Sequence, residues 1–325
     1  MNKRLFRVLA ICTVMLTGIS AQASSIKSDK GPEVQRREEG NLVIEGVPDV
    51  PTKLVERMQQ YQNVRSASFK SWDPVRGGML ISTRFGETSQ LHYLAKPKGA
   101  RQQITFFDEP VRGASMCPDS NRHGFLFTKD VGGGEAYQIF YYDLATGLFD
   151  LVTDGKSRNG GALWSNKGDR FAYYSTKRNQ KDWDIYVAGV DQPTEARPVY
   201  TGKGTWYPVD WSRDDSKLLI ENYVSANESH LFILNVKSGA VEAVNPTEQN
   251  VAYGGAVWAR NGRGLYFTSD EGGEFKTLKY YDIRSKKQTV LTQNIPWDVK
   301  GVTISDNGKV VAFSINEDGV TRLYL

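Results

Sequence analysis

The sequence predicts an all-β fold, a β-propeller of four-stranded antiparallel blades with a period of about 47 residues, five blades complete and a sixth incomplete. The first observation behind this is a recurring apolar anchor. Phe69, Met116, Trp164, Trp211, Trp258 and Ile304 follow one another at 47, 48, 47, 47 and 46 residues. The second is an independent marker in the same register, the apolar start of a later β-like run at Leu91, Ile139, Ile185, Leu231, Leu278 and Leu323, spaced 48, 46, 46, 47 and 45. The third is the texture of each unit, in which short aromatic and β-branched runs such as RFAYYS and DIYVAGV carry no helical stripe. A period of 40–50 residues with several short strands per unit describes propeller blades rather than helical solenoids.

Turn chemistry supports the strand assignment. Lys167-Gly168, Asn261-Gly262 and Asn307-Gly308 follow their anchors with residue types that tolerate positive φ, as hairpin turns require. Runs such as IFYYD and HLFIL do not alternate cleanly. That is expected of a sheet buried on both faces between neighbours.

The chain begins with Lys3, Arg4 and Arg7, a 12-residue apolar stretch Val8–Ile19 and a small-x-small Ala21-Gln22-Ala23, which together read as a secretion signal over 1–23. Twelve apolar residues are short of the ~20 that span a bilayer, so no membrane association is expected once the signal is removed. The destination is then periplasmic or secreted. Residues 24–61 read as an N-terminal arm. Its first part, Ser24–Gly40, is polar and unpatterned and is expected to be a mobile tether, with Glu38 and Glu39 solvated rather than gripping a substrate's amino terminus. NLVIEGVP then suggests a short strand, and PTKLVERMQQY a helix whose Leu54, Val55, Met58 and Tyr61 are expected to dock on the propeller. The propeller occupies 62–325.

The whole chain carries a net charge of +4, but without the leader 38 basic residues face 37 acidic ones. Nothing favours a polyanionic partner, and no basic run alternates with aromatics, so no nucleic-acid binding is expected. Cys12 leaves with the leader and Cys117 stands alone, so no internal disulfide is available. Oligomeric state is not legible.

YQNVRSASFKSWDPVRGGMLISTRFGETSQLH, with its STRFG and QLH segments, followed by RQQITFFDEPV, resembles the propeller portion of secreted bacterial serine peptidases of the prolyl oligopeptidase family, the group of acylaminoacyl peptidases and dipeptidyl aminopeptidases. The blades also resemble those of TolB-like propellers. The family resemblance implies that the propeller precedes an α/β-hydrolase domain carrying Ser, Asp and His, and that it restricts which peptides reach them. The implied partners are therefore peptide substrates together with a C-terminal hydrolase domain. No serine in this chain has glycine at both −2 and +2, as a nucleophile elbow requires, so no catalytic residue can be carried over. His92 and His230 lie in strand-like runs and His123 in a polar loop, positions unsuited to a triad. No catalytic, cofactor-binding or metal-binding residue is assigned, and no cofactor is expected.

Two further stretches invite a functional reading. TKDVGGGEAYQIFYYD and TSDEGGEFKTLKYYD pair Asp130 with Asp270 and Glu135 with Glu274 around glycines, but without the regular ladder of a calcium loop they read as hairpins between second and third strands. Asp119-x-Asn121 is a weaker cation signal still. Trp164 and Trp211 are expected to pack against the next blade rather than to line a peptide channel. Arg178, Asp182, Trp183 and Asp184 form a charged, aromatic loop of the kind that meets a partner at a propeller rim.

The sixth anchor is followed by only 21 residues. Either the N-terminal arm supplies a closing strand, or further blades and a hydrolase domain follow; the resemblance favours the second. The resulting expectation is the substrate-gating propeller of an exported serine peptidase, inactive alone. The alternative is a periplasmic TolB-like interaction propeller. A propeller enzyme acting through its channel is disfavoured, because no group of histidines and acids recurs at inner-strand positions.

Overall fold

The computed structural model describes residues 34–325 except 247 and 249. The secretion signal and most of the tether lie outside these residues. Two compact units divide the chain at Asp49/Val50. In the first, Arg36–Glu39 pairs antiparallel with Leu42–Glu45. The tether expected up to Gly40 therefore ends in a strand, because Arg36 bridges Glu45 at 2.6 Å and Glu38 at 2.7 Å across a tight turn at Gly40. Glu38 is thus already engaged by a cation.

The second unit starts with a helix, Thr52–Gln62, and continues with six antiparallel sheets. Blade one comprises Ala67–Trp72, Met79–Thr83, Gln90–Leu94 and Gln102–Gln103; blade two, Gly113–Met116, Gly124–Lys129, Gln138–Asp143 and Phe149–Leu151. Asn159–Trp164, Arg170–Ser175, Asp184–Gly189 and Gln192–Tyr200 make blade three, and Thr205–Trp211, Lys217–Ser225, Glu228–Asn235 and Val241–Ala243 blade four. Blade five consists of Tyr253–Trp258, Gly264–Ser269, Thr277–Asp282 and Lys287–Val290. Blade six has three strands, Val299–Ile304, Val311–Glu317 and Val320–Tyr324. The sheets are therefore five of four strands and one of three, as the period predicts.

Each interface between successive blades is a separate apolar core. Trp164 joins blades two and three with Leu126, Ile139 and Phe171, and Trp211 joins three and four with Ile185, Leu218 and Leu234. Trp258 lies between four and five beside Leu219, Leu231 and Phe267. The anchors thus pack on the preceding blade, not the next. In two blades a hydrogen bond accompanies this packing: the indole N–H of Trp164 donates to Ser115 O at 3.0 Å, and that of Trp211 to Leu163 O at 3.1 Å, both on the preceding inner strand.

Polar contacts repeat the same join. Asp215 is fully buried and accepts the backbone N–H groups of Asn166 and Lys167 from blade three at 2.8 and 3.1 Å. Asp210 accepts the Trp258 N–H at 2.8 Å from blade five, and burial holds its carboxyl above the ordinary range. The hairpin glycines Gly168, Gly262 and Gly308 all have φ near +70°, which explains their placement after the anchors.

Inner strands in blades one, three, four, five and six carry a register shift, the mark of a β-bulge. Gly161, Gly255 and Gly301 supply positive φ at three of them.

The helix differs from expectation. Leu54, Val55, Met58 and Tyr61 are exposed and no residue of the helix is buried, so its apolar stripe has no partner among the described residues. Phe69 and Trp72, at the start of blade one, are 53% and 59% exposed, whereas the other five anchors are buried. They sit on the flank of blade one that no described blade covers. A groove of about 810 Å³ lies between blades five and six, lined by Leu278, Leu291 and Ile295 on one side and by Val311, Phe313 and Tyr324, which pack on the core shared by the two blades, on the other.

Candidate functional site

In a four-stranded meander the hairpins between second and third strands lie on the same rim as the starts of the inner strands. That rim presents exposed Phe85, Phe106, Val131, Tyr223, Val224 and Phe275. The opposite rim is built from polar turns closed by Asp or Asn side chains, such as Asp73 on the N–H groups of Val75 and Arg76, or Asn307 on that of Lys309. The apolar rim is the one suited to contact another protein surface.

The loop Thr176–Trp183 belongs to this rim. Arg178 grips the fully buried Asp184 through two bonds of 2.6 and 3.0 Å and reaches Gly202 O at 2.9 Å. Asp182 accepts the Gly204 N–H at 2.9 Å, and this bond, with Asn179 and Arg178, holds its carboxyl below the usual range. The charges expected to face a partner are thus satisfied within blade three and fix the approach to the inner strand of blade four. Trp183 remains available: its ring lies edge-on to Tyr174 at 5.0 Å and carries the Arg158 guanidinium at 5.3 Å.

Cross-strand pairing singles out one repeat position. Ser82, Thr128, Tyr174, Glu221, Thr268 and Ser314 are each paired on the third strand with the apolar markers Leu91, Ile139, Ile185, Leu231, Leu278 and Leu323. In three blades the hydroxyl at this position bonds to the inner strand: Thr128 accepts from Gly113 N at 3.1 Å, Thr268 donates to Gly254 O at 3.0 Å, and Ser314 to Lys300 O at 2.8 Å. In blade one the bond runs the other way, from the Ser68 hydroxyl of the inner strand to Ser82 O at 3.5 Å, and blades three and four depart from the rule altogether. Tyr174 lays its ring over Gly160 and Gly161, where any Cβ would come within 2.6 Å of it. Glu221 lies opposite Tyr207 of the inner strand, and among the described residues no hydrogen bond or ion pair within 4.0 Å reaches its carboxylate.

The rings around Glu221 form a continuous set. Tyr207 meets Tyr174 edge-on at 4.9 Å and Tyr223 at 6.3 Å. Burial among them pushes the Glu221 carboxyl up to about 7, opposed only by the more distant Lys276 ammonium of blade five. A carboxyl with a folded pKa above its unfolded value stabilises the fold fully below the unfolded value, and that contribution is lost as pH rises through the folded one. Glu221→Gln is therefore expected to raise stability at pH 8, by about 2–3 kcal/mol at most given partial exposure, and to change little near pH 4. Thermal unfolding of both proteins across that range is the check.

The other sequence candidates have structural surroundings. His92 and His230 are buried within strands of blades one and four, and His123 stands 3.2 Å from Asp73 across blades one and two. Asp130 accepts the Glu135 N–H of its own hairpin at 3.2 Å, and Asp270 the N–H of Ala252, just ahead of the inner strand of blade five, at 2.9 Å. Asp119 closes its turn on the Asn121 N–H at 2.9 Å. Cys117 is buried in the core between blades two and three. No group of three or more His, Cys, Asp or Glu side chains suited to a metal ion occurs among the described residues. No helix among them is long and apolar enough to cross a membrane. Glu221, Tyr207 and Tyr223 were not singled out by sequence; the signal is a Glu where four of the five other blades carry Ser or Thr, visible only once the second strands are in register.

Comparison with known proteins follows from this geometry. Residues 109–323 match the family model described as prolyl oligopeptidase, N-terminal beta-propeller domain. No curated protein sequence matches the chain at a significant level. Among solved structures, a prolyl endopeptidase superposes with a TM-score of 0.68 at 13% identity, covering 84% of this chain and 42% of its own. The chain thus spans less than half the length of that enzyme. Oligogalacturonate lyase from Vibrio parahaemolyticus superposes with a TM-score of 0.61 at 10% identity, over 78% of this chain and 76% of the lyase. TolB from Acinetobacter baumannii gives 0.51 at 15% identity, over 89% and 77%. At these identities the structural likenesses establish the propeller fold alone.

Proposed function

The chain belongs to the prolyl oligopeptidase N-terminal β-propeller family, and from that premise we propose that it is the substrate-gating propeller of an exported serine peptidase. In this reading the acyl-transfer chemistry resides in a C-terminal α/β-hydrolase domain, and the propeller's apolar rim faces it. The observation that carries the reading is the family match across blades two to six. Residues 1–23 act as the secretion signal, 24–61 as the arm and 62–325 as propeller, and the product is periplasmic or secreted. Peptides small enough to pass between rim and hydrolase reach the nucleophile; folded proteins do not.

The uncovered flank of blade one supports a longer ring. Phe69 and Trp72 stand where the anchors of the later blades meet a preceding blade. Burying such rings is worth ~1.5–3 kcal/mol per large side chain, so further blade structure laid on them would be strongly held.

A second reading, a periplasmic interaction propeller with no catalytic domain, is favoured by one observation: the likeness to TolB covers 77% of that protein's length, against 42% for the endopeptidase. The reading frame following Leu325 separates the two. Continuation into a G-x-S-x-G segment followed by Asp and His is expected. A frame that lacks any such segment supports the interaction propeller instead.

A further inference from the structure

We propose that Glu221, opposite Tyr207 and two residues before Tyr223 on its strand, forms a subsite for a cationic group, the ammonium or guanidinium of a bound peptide. Three observations converge on it. The residue breaks a repeat rule that Thr128, Thr268 and Ser314 obey, in which a hydroxyl ties the second strand to the inner one. A hydroxyl there would serve the fold, so the carboxylate is retained at a cost to stability, which is the pattern of a functional position. Secondly, the carboxylate has no hydrogen-bond donor among the described residues, and Lys276 stands beyond ion-pair distance with its own backbone N–H fixed on Asp298 at 2.9 Å. An incoming cation supplies the missing donors. Thirdly, the neighbouring side chains Tyr207 and Tyr223 are aromatic rings in contact with each other, and aromatic rings attract cations. Tyr223 is 41% exposed at the rim, so the subsite opens where the hairpin of blade four ends.

The peptide as carrier rests on the function proposed above; the affinity for a cation does not. Neutral groups and anions fit poorly, since the first leave the carboxylate unsatisfied and the second repel it.

The test is equilibrium binding of three probes to the full chain at pH 8, followed by NMR: N-acetyl-arginine amide, its neutral isostere N-acetyl-citrulline amide, and glycine amide. The arginine probe is expected to bind about tenfold more tightly than the citrulline probe, and Glu221→Gln to remove that advantage. Tyr223→Ser, at an exposed position, is expected to weaken the arginine probe several-fold with unfolding still cooperative, so the proposal stays testable should the Gln variant fold poorly. Glu221-dependent binding of glycine amide as well assigns the site to ammonium groups in addition. Equal binding of arginine and citrulline probes, no saturable binding of either cation, or an advantage that survives Glu221→Gln overturns the subsite. Because no hydrolysis is measured, failure here leaves the peptidase reading standing, and an absent hydrolase domain leaves the subsite standing.

Discussion

Replacing Trp211 with alanine is expected to destabilise the propeller by about 3–5 kcal/mol, the range of large aromatic truncations in cores. Its ring is 1% exposed, fills the core between blades three and four and carries the Arg170 guanidinium at 5.2 Å. The same truncation strips Leu163 O of its indole donor, leaving a carbonyl to be satisfied elsewhere. Trp258 provides the control. Its indole nitrogen is buried without a partner, so Trp258→Phe should cost less than Trp211→Phe, in which a formed bond is lost. Denaturant unfolding of the three variants gives the comparison. Should Trp211→Ala unfold at the same denaturant concentration as the wild type, the ring would not be the interblade core that the structure describes.

The residues that made the fold legible are those whose role repeats. The anchors Met116, Trp164, Trp211 and Trp258 are buried at every interface, so packing held them to one period. Gly168, Gly262 and Gly308 were recognisable because positive φ favours glycine. What a single sequence does not encode locally is direction and partnership. Whether Trp164 turns to the preceding or the following blade is decided by contacts far along the chain, here with Ser115, 49 residues away. The strand at Arg36–Glu39 was hidden because its polar composition resembles a tether, while its pairing rests on Arg36 and Glu45 meeting across the turn. The stripe of Leu54, Val55 and Met58 was read as a docked face from spacing alone, and spacing specifies a face, not an occupant.

The candidate site was legible only in outline. Arg178, Asp182, Trp183 and Asp184 were found by composition, yet three of them are absorbed in holding Gly202 and Gly204. Glu221 was missed because a Glu in the run LLIENY reads as an outward-facing strand residue. Its meaning appears only against Thr128, Thr268 and Ser314 in the same cross-strand position.

The second large expected effect is chemical. The chain alone should neither hydrolyse peptide or ester substrates nor react with a fluorophosphonate serine probe, because no serine here sits between the two glycines that a nucleophile elbow requires. Mass spectrometry after exposure to the probe is the check. Stoichiometric labelling of one serine, abolished by its replacement, would show that the chain carries its own nucleophile.

The central claim is that this propeller gates a hydrolase, and the dependence of kcat/KM on substrate size tests it most directly. The measurement compares the hydrolase domain that the proposal places after this chain, alone and joined to the propeller, on a short peptide and on a folded protein containing the same cleavage sequence. The account predicts that the joined protein cleaves the short peptide and spares the folded protein, whereas the isolated domain shows no such discrimination. Equal cleavage of both substrates with the propeller attached, or activity that is indifferent to its presence, would contradict it.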